Sequence, residues 1–244
     1  MGRALFPGAR NFDRKGDPPM KYWSKLFLSL TLCLLLCACG QGGSPGGTSS
    51  AGTSSSSDSY PALSDSLAIR DISRYAGSFV EDGSDELVSD VFALTVENTG
   101  DKTVQYAHIT LTLGEGSYDF DLTTLPPGAR VQLLELNRQP LPENTDGMTA
   151  AVTSFAAFET EPSLCEDVLA IETQDAGITL TNISGEDITG QIYVYYKVAY
   201  GDLYLGGITY RAGLSGLAAG QSATGYAGHF SQDQCRVMFV TYVP

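Results

Sequence analysis

His229-Phe230-Ser231-Gln232-Asp233 sets an imidazole, a hydroxyl and a carboxylate side by side, the residue types of nucleophilic acyl transfer. A triad, however, needs side chains that converge from separate segments on a pocket with an oxyanion hole. No strand-to-helix nucleophile elbow supports one here. With His108 the only other histidine, the stretch reads as a turn before a final strand, and no catalytic residue is assigned. Asp119 and Asp121 alternate with Phe120, which puts both carboxylates on one solvated strand face. Glu81-Asp82-Gly83-Ser84-Asp85-Glu86 gathers four carboxylates around a glycine, hard oxygen donors of the kind calcium takes. It lacks the spaced Asp loop and distant Glu of a calcium loop, so a solvated acidic loop is expected and no metal site is assigned. Zinc has no scaffold either, since no CxxC or HExxH is present. Gly206-Gly207 is followed by neither a helix nor a lysine, and Ile208-Thr209-Tyr210 continues as strand. A bulge or hairpin turn fits it better than a phosphate loop. No cofactor is expected.

Tyrosine is the most suggestive residue type. Tyr193 and Tyr195 share a strand face with Lys197, opposite Ile192, Val194 and Tyr196, and Tyr204 lies just past Gly201-Asp202. Such a face can stack on sugars or peptides, because aromatic rings give large contact area at low entropy cost. Tyr193, Tyr195, Lys197 and Tyr204 are therefore the candidate binding face for a glycan or protein ligand. The alternative is that these rings pack against the rest of the protein or fill a sheet where tyrosine is favoured.

The segments that carry these residues divide sharply. Lys21 and Lys25 precede an apolar run from Leu26 to Cys39, a secretion-signal pattern too short for the roughly 20 residues of a membrane-spanning helix. Residues 1–19 show no apolar periodicity and end in Pro18-Pro19, so translation is expected to start at Met20, the alternative being a long basic leader. Leu36-Cys37-Ala38-Cys39 resembles the bacterial lipobox. The resemblance implies cleavage after residue 38, diacylglyceryl (palmitate-bearing) modification of Cys39, and a membrane-anchored, extracytoplasmic lipoprotein. Acyl chains contribute about 0.8 kcal/mol per buried CH₂. Residues 39–60 are almost wholly Gly, Ser, Thr, Ala and Pro, too polar to bury a core. They read as a disordered linker with a root-mean-square span of about 25 Å and a full reach of about 70 Å.

Beyond Tyr60 alternating runs dominate: Phe92, Leu94 and Val96 against Ala93 and Thr95; Ala107, Ile109 and Leu111 against His108, Thr110 and Thr112; and a near-continuous apolar strand at 237–243. The expectation is all-β. Leu94 to Asp101 matches Thr179 to Glu186 around Asn98 and Asn182, and Leu125-Pro126-Pro127-Gly128 matches Leu217-Ala218-Ala219-Gly220. A repeat near 85–90 residues suits a small β-sandwich. Two tandem immunoglobulin-like sandwiches are expected, at 61–160 and 161–244, with Pro162 near the boundary. The order of strand, Asn-turn, strand, hairpin, Leu-x-x-Gly and strand resembles immunoglobulin-like modules of secreted bacterial proteins, including the FxLYD type. The second half, with VYYK at 194–197, GGITY at 206–210 and VMFV at 237–240, resembles poorly characterised Gram-positive lipoproteins, a likeness that implies surface location and fold but no activity. In such a topology Cys165 and Cys235, the two cysteines left after the lipobox, come close enough for a disulfide; two buried free thiols are the alternative.

With 14 basic against 28 acidic residues the chain carries a formal charge of −14. Cleavage after residue 38 removes Arg3, Arg10, Arg14, Lys15, Lys21 and Lys25 against Asp13 and Asp17, leaving 8 basic and 26 acidic residues, near −18. Nucleic-acid binding is excluded on that charge. The expected role is non-catalytic binding or spacing at the bacterial surface, with the membrane and an unidentified protein or glycan as partners. An accessory subunit of an envelope complex is the alternative, and an extracytoplasmic hydrolase the remaining one.

Overall fold

A computed structural model describes residues 60–243. Cys39, the signal segment and the tether up to residue 59 lie outside the described residues. Among the described residues every regular element is a strand: β1 (Leu67–Phe79), β2 (Glu86–Asn98), β3 (Val104–Leu113), β4 (Gly116–Leu125), β5 (Arg130–Leu134) and β6 (Thr149–Ala157) in the first half; β7 (Leu169–Gln174), β8 (Gly177–Asn182), β9 (Ile188–Tyr200), β10 (Leu203–Leu217), β11 (Ser222–Tyr226) and β12 (Cys235–Tyr242) in the second. The protein is all-β, as its alternation predicts. β3 shows why: Ala107, Ile109, Leu111 and Leu113 are buried, while His108, Thr110 and Thr112 turn to the other face, which is the period-2 pattern of a half-buried strand.

The strands form one six-stranded sheet, β1-β2-β5-β10-β9-β12, and two three-stranded sheets, β11-β8-β7 and β4-β3-β6. In the first half β1-β2-β5 packs on β4-β3-β6 around Phe92, Leu94, Ile109, Leu111, Phe120 and Leu133. In the second, β7-β8-β11 packs on β10-β9-β12 around Leu180, Val194, Tyr196, Ala212 and Leu214. Strand order is the same in both halves, but the sheets that join are not equivalent. β5 pairs in parallel with β10, Arg130 with Leu203, Val131 with Tyr204 and Gln132 with Leu205, so one sheet runs through both halves. A third cluster of Phe79, Val80, Val91, Ala93, Leu134 and Leu205 covers the join. For that reason Ala93 and Thr95 are buried, against the simple alternation read from β2: this strand is covered on both faces.

Each half is pinned by one asparagine. Asn98 Nδ2 donates to the carbonyls of Lys102 (2.9 Å) and Leu125 (2.8 Å), and its Oδ1 accepts from the Gly100 N–H (3.0 Å). Asn182 Nδ2 donates to Glu186 (2.8 Å) and Leu217 (2.9 Å), and its Oδ1 accepts from Ser184 N–H (3.0 Å). The backbone carbonyl of Asn98 accepts from Gly128, and that of Asn182 from Gly220. The partners before the hairpin are offset by 84 residues and those after it by 92, the offsets of the sequence match. Both side chains are 0% exposed, so truncation strands two carbonyls and an N–H in a dry site. Asn98→Ala and Asn182→Ala are each expected to cost about 3 kcal/mol of stability in urea unfolding. Asn144→Ala in an exposed turn is expected to stay within about 0.5 kcal/mol.

Candidate functional site

The tyrosine face of β9 is largely committed to the protein itself. Tyr195 stacks on Phe239 of β12, with ring centroids 4.2 Å apart and planes 9° apart, and Phe158 meets Phe239 edge-on at 5.5 Å. Phe158 follows β6, so this aromatic row binds the segment between the halves to the last strand. The Arg211 guanidinium lies 4.5 Å over the Tyr193 ring. Gly213, opposite Tyr193 in the ladder, leaves room for it: a Cβ there would come within 3.2 Å of the ring. Tyr204 packs half-buried against the first core. Lys197 requires a correction, because it is not on an exposed face at all; it is 0% exposed. β4 of the first half closes over that end of the face, and one of its carbonyls, with two of β10, takes the ammonium.

The site built around Lys197 is the most highly connected polar cluster of the described residues. β10 leaves register with β9 between Leu205 and Tyr210, the bulge its glycine pair suggests. A bulge frees backbone groups from the ladder, and here they are buried. Lys197 Nζ donates to the carbonyls of Ile208 (2.8 Å), Thr123 (2.9 Å) and Gly207 (3.1 Å). The carboxylate of Glu81 accepts from Gly207 N–H at 2.9 Å and from Leu134 N–H at 2.9 Å. Thr123 Oγ1 donates to the Gly207 carbonyl and meets Thr209 Oγ1 at 2.8 Å. The backbone of one residue, Gly207, is thus held by an anion on its N–H and a cation on its C=O, which belong to two successive peptide groups. Burial pulls the Lys197 ammonium down to about 7, with Glu81 pushing it back up, and burial raises the Glu81 carboxyl against the opposing pull of its backbone donors. Gly207 is obligatory, since a Cβ would sit 1.7 Å from the Asp121 carbonyl oxygen. Gly206, at φ +77°, would drive a Cβ to 2.2 Å from Val80.

The acidic turn read as a solvated loop works as a clamp. Arg138 bridges Asp82 (2.8 Å) and Glu86 (2.7 Å), Asp85 bonds His229 Nδ1 at 2.8 Å, and Tyr210, whose ring stacks on His229, donates to Val80 O. His229 is therefore a junction residue. The other histidine, His108, sits on the open face of β3 between Asp121 (2.7 Å) and Asp119 (3.5 Å). Tyr106 donates to Asp121 and Thr110 to Asp119. Among the described residues no group of three or more His, Cys, Asp or Glu is placed to hold a metal.

The expected disulfide is also corrected, because Cys165 and Cys235 are both free. Cys165 Sγ lies 3.7 Å from the Val240 carbonyl, whereas Cys235 opens β12 five residues earlier, on the order of 15 Å along the strand. Bonded cysteines need Cα atoms within about 7 Å. Cys235 Sγ instead accepts from Ser231 N–H and donates to His229 O, both at 3.4 Å.

Sequence reasoning passed over Glu81, which it counted among the loop acids, and took the face that carries Lys197 to be open. The signal lay in Lys197 itself, a lone cation within Tyr195-Tyr196-Lys197-Val198-Ala199, with a glycine pair nine and ten residues further on across one hairpin. Lys197→Met is expected to cost about 3–5 kcal/mol in urea unfolding, because Glu81 is left as a buried, unbalanced charge. Lys197 is protonated more readily in the unfolded chain, so unfolding takes up a proton between pH 7 and its ordinary value near 10.5. The stability of the natural protein relative to Lys197→Met is therefore expected to rise with pH across that window. Alkylation of the denatured, unreduced protein is expected to add one adduct at Cys165 and one at Cys235, read by peptide mass. Comparison with known proteins finds no family model that matches the chain and no curated protein that matches it.

Proposed function

We propose that the chain is a lipid-anchored bacterial surface protein whose two tandem immunoglobulin-like modules bind or space partners outside the membrane, without catalysis. The observation that carries this reading is the join. A sheet shared through β5 and β10, with the Glu81–Gly207–Lys197 linkage across it, makes the two halves one stiff arm. Domains that touch through small polar interfaces move relative to each other by default; a bulge coordinated from both halves removes that freedom. Behind the arm the sequence places a Gly/Ser-rich tether and the lipobox cysteine. A rigid element behind such an anchor suits presentation at a distance from the membrane.

The accessory-subunit reading draws support from the first half, where Tyr106 and Phe155 are exposed aromatics on one small sheet. Cells fed labelled palmitate are expected to label the natural protein, and Cys39→Ala is expected to lose the label and release the protein from the membrane fraction. Label that survives Cys39→Ala would sink the anchored reading.

A further inference from the structure

Six strand edges bound the three sheets, and five are guarded in ways that keep proteins from pairing edge to edge. β1 carries Arg70, Asp71 and Arg74; β4 carries Asp119 and Asp121; β7 carries Glu172; and β11 has only five residues. β12 is capped, its Val240 N–H donating to Ser163 O at 2.9 Å. β6 is the exception, guarded by neither charge nor cover and irregular at Thr153, where its register with β3 shifts. It runs nine residues, Thr-Ala-Ala-Val-Thr-Ser-Phe-Ala-Ala, without a charge or a proline, and is mostly exposed, with Phe155 46% accessible. By sheet order β6 is the first-half counterpart of β12, yet among the described residues it pairs with β3 alone and has no equivalent of the Ser163 cap.

We propose that the outer edge of β6 receives an extended segment of another protein, with lysine or arginine at its ends, as a fourth strand on β4-β3-β6. This names a partner for the binding reading above and rests on it. A strand edge selects its occupant chemically, because a row of N–H and C=O groups is matched by another extended backbone. Beside β6 a groove of about 360 Å³, lined by Leu63, Ser64, Asp65, Ser66, Val152 and Phe155, would take an apolar side chain of the incoming strand. Charge chooses between the possible strands. Glu143 and Asp146 are exposed just before β6, and Glu159 and Glu161 just after it. A second copy of this chain, in either direction, would bring acidic ends against acidic ends, which is repulsive. Basic residues flanking an uncharged centre reverse that sign.

The test uses the full chain in detergent micelles and a synthetic peptide of alternating threonine and valine with two lysines at each end. Amide exchange is followed in β6, and affinity is followed by fluorescence polarisation. The expected result is that the outward β6 amides, those not bonded to β3, are open in the free chain and become protected on peptide addition. Affinity is expected to fall at least tenfold for the same peptide with alternate amides N-methylated, and at least tenfold with glutamates in place of the lysines. Thr153→Lys and Ala151→Lys, each placing on the edge the guard its counterparts have, are expected to weaken binding at least tenfold with an unchanged melting temperature. Three outcomes would overturn the proposal: outward β6 amides already protected in the free chain, binding indifferent to N-methylation, or a dimer by sedimentation that Thr153→Lys dissolves. None of these touches the surface-lipoprotein reading, which stands or falls on Cys39 and membrane retention.

Discussion

The backbone of a single residue, Gly207, sets the terms for the rest of the structure. The bulge in β10 removes its N–H and C=O from the ladder at a place closed to water, and each group left bare there would cost about 1–3 kcal/mol. Glu81 and Lys197 meet the need from opposite sides. Burying either ion alone would cost several kcal/mol, so neither charge is tolerable without the peptide and the other charge behind it. The arrangement is reciprocal: the bulge requires the ions, and the ions require the bulge.

Geometry elsewhere follows from it. The β1–β2 hairpin has to be long enough for Glu81 to reach β10, and both its strands run to 13 residues while β7 and β8 have 6. β4 must lie directly on the bulge for Thr123 to offer its carbonyl, which requires glycine at 207 and buries Lys197. Two halves with the same strand order therefore have different outer faces, one open on β3 and one closed over at the end of β9. The duplicated asparagines hold each half separately; the Gly207 linkage holds the halves together.

What the sequence made legible is what repeats. Alternation exposes the strands, and the Asn98/Asn182 and Leu-x-x-Gly landmarks stand out because the same hydrogen bonds are needed twice. The join occurs once and leaves no period. Its parts lie at 81, 123, 197 and 207, and nothing local distinguishes Glu81 from Asp82 beside it, although one is coordinated by backbone amides and the other by Arg138. Strand alternation placed Lys197 correctly on the face opposite the core, but whether that face meets water depends on β4 arriving from the other half. The disulfide expectation failed for a similar reason: an antiparallel topology says that two segments are neighbours, and only register says which residues are.

The charge balance acquires a structural meaning as well. Seven of the eight basic residues beyond Cys39 are spent inside the protein: Arg70 and Arg130 on Glu97, Arg74 on Asp90, Arg138 on Asp82 and Glu86, Arg236 on Asp202, Arg211 on the Tyr193 ring, and Lys197 on the join. Among the described residues only Lys102 has no such partner. The acids outnumber these cations about threefold, so many carboxylates face water without one. A ligand reaching this surface meets almost no available positive charge to hold an anion, and a field that draws cations and repels other copies of the chain. The same pairing that occupies the cations therefore also sets the sign of the field around the protein.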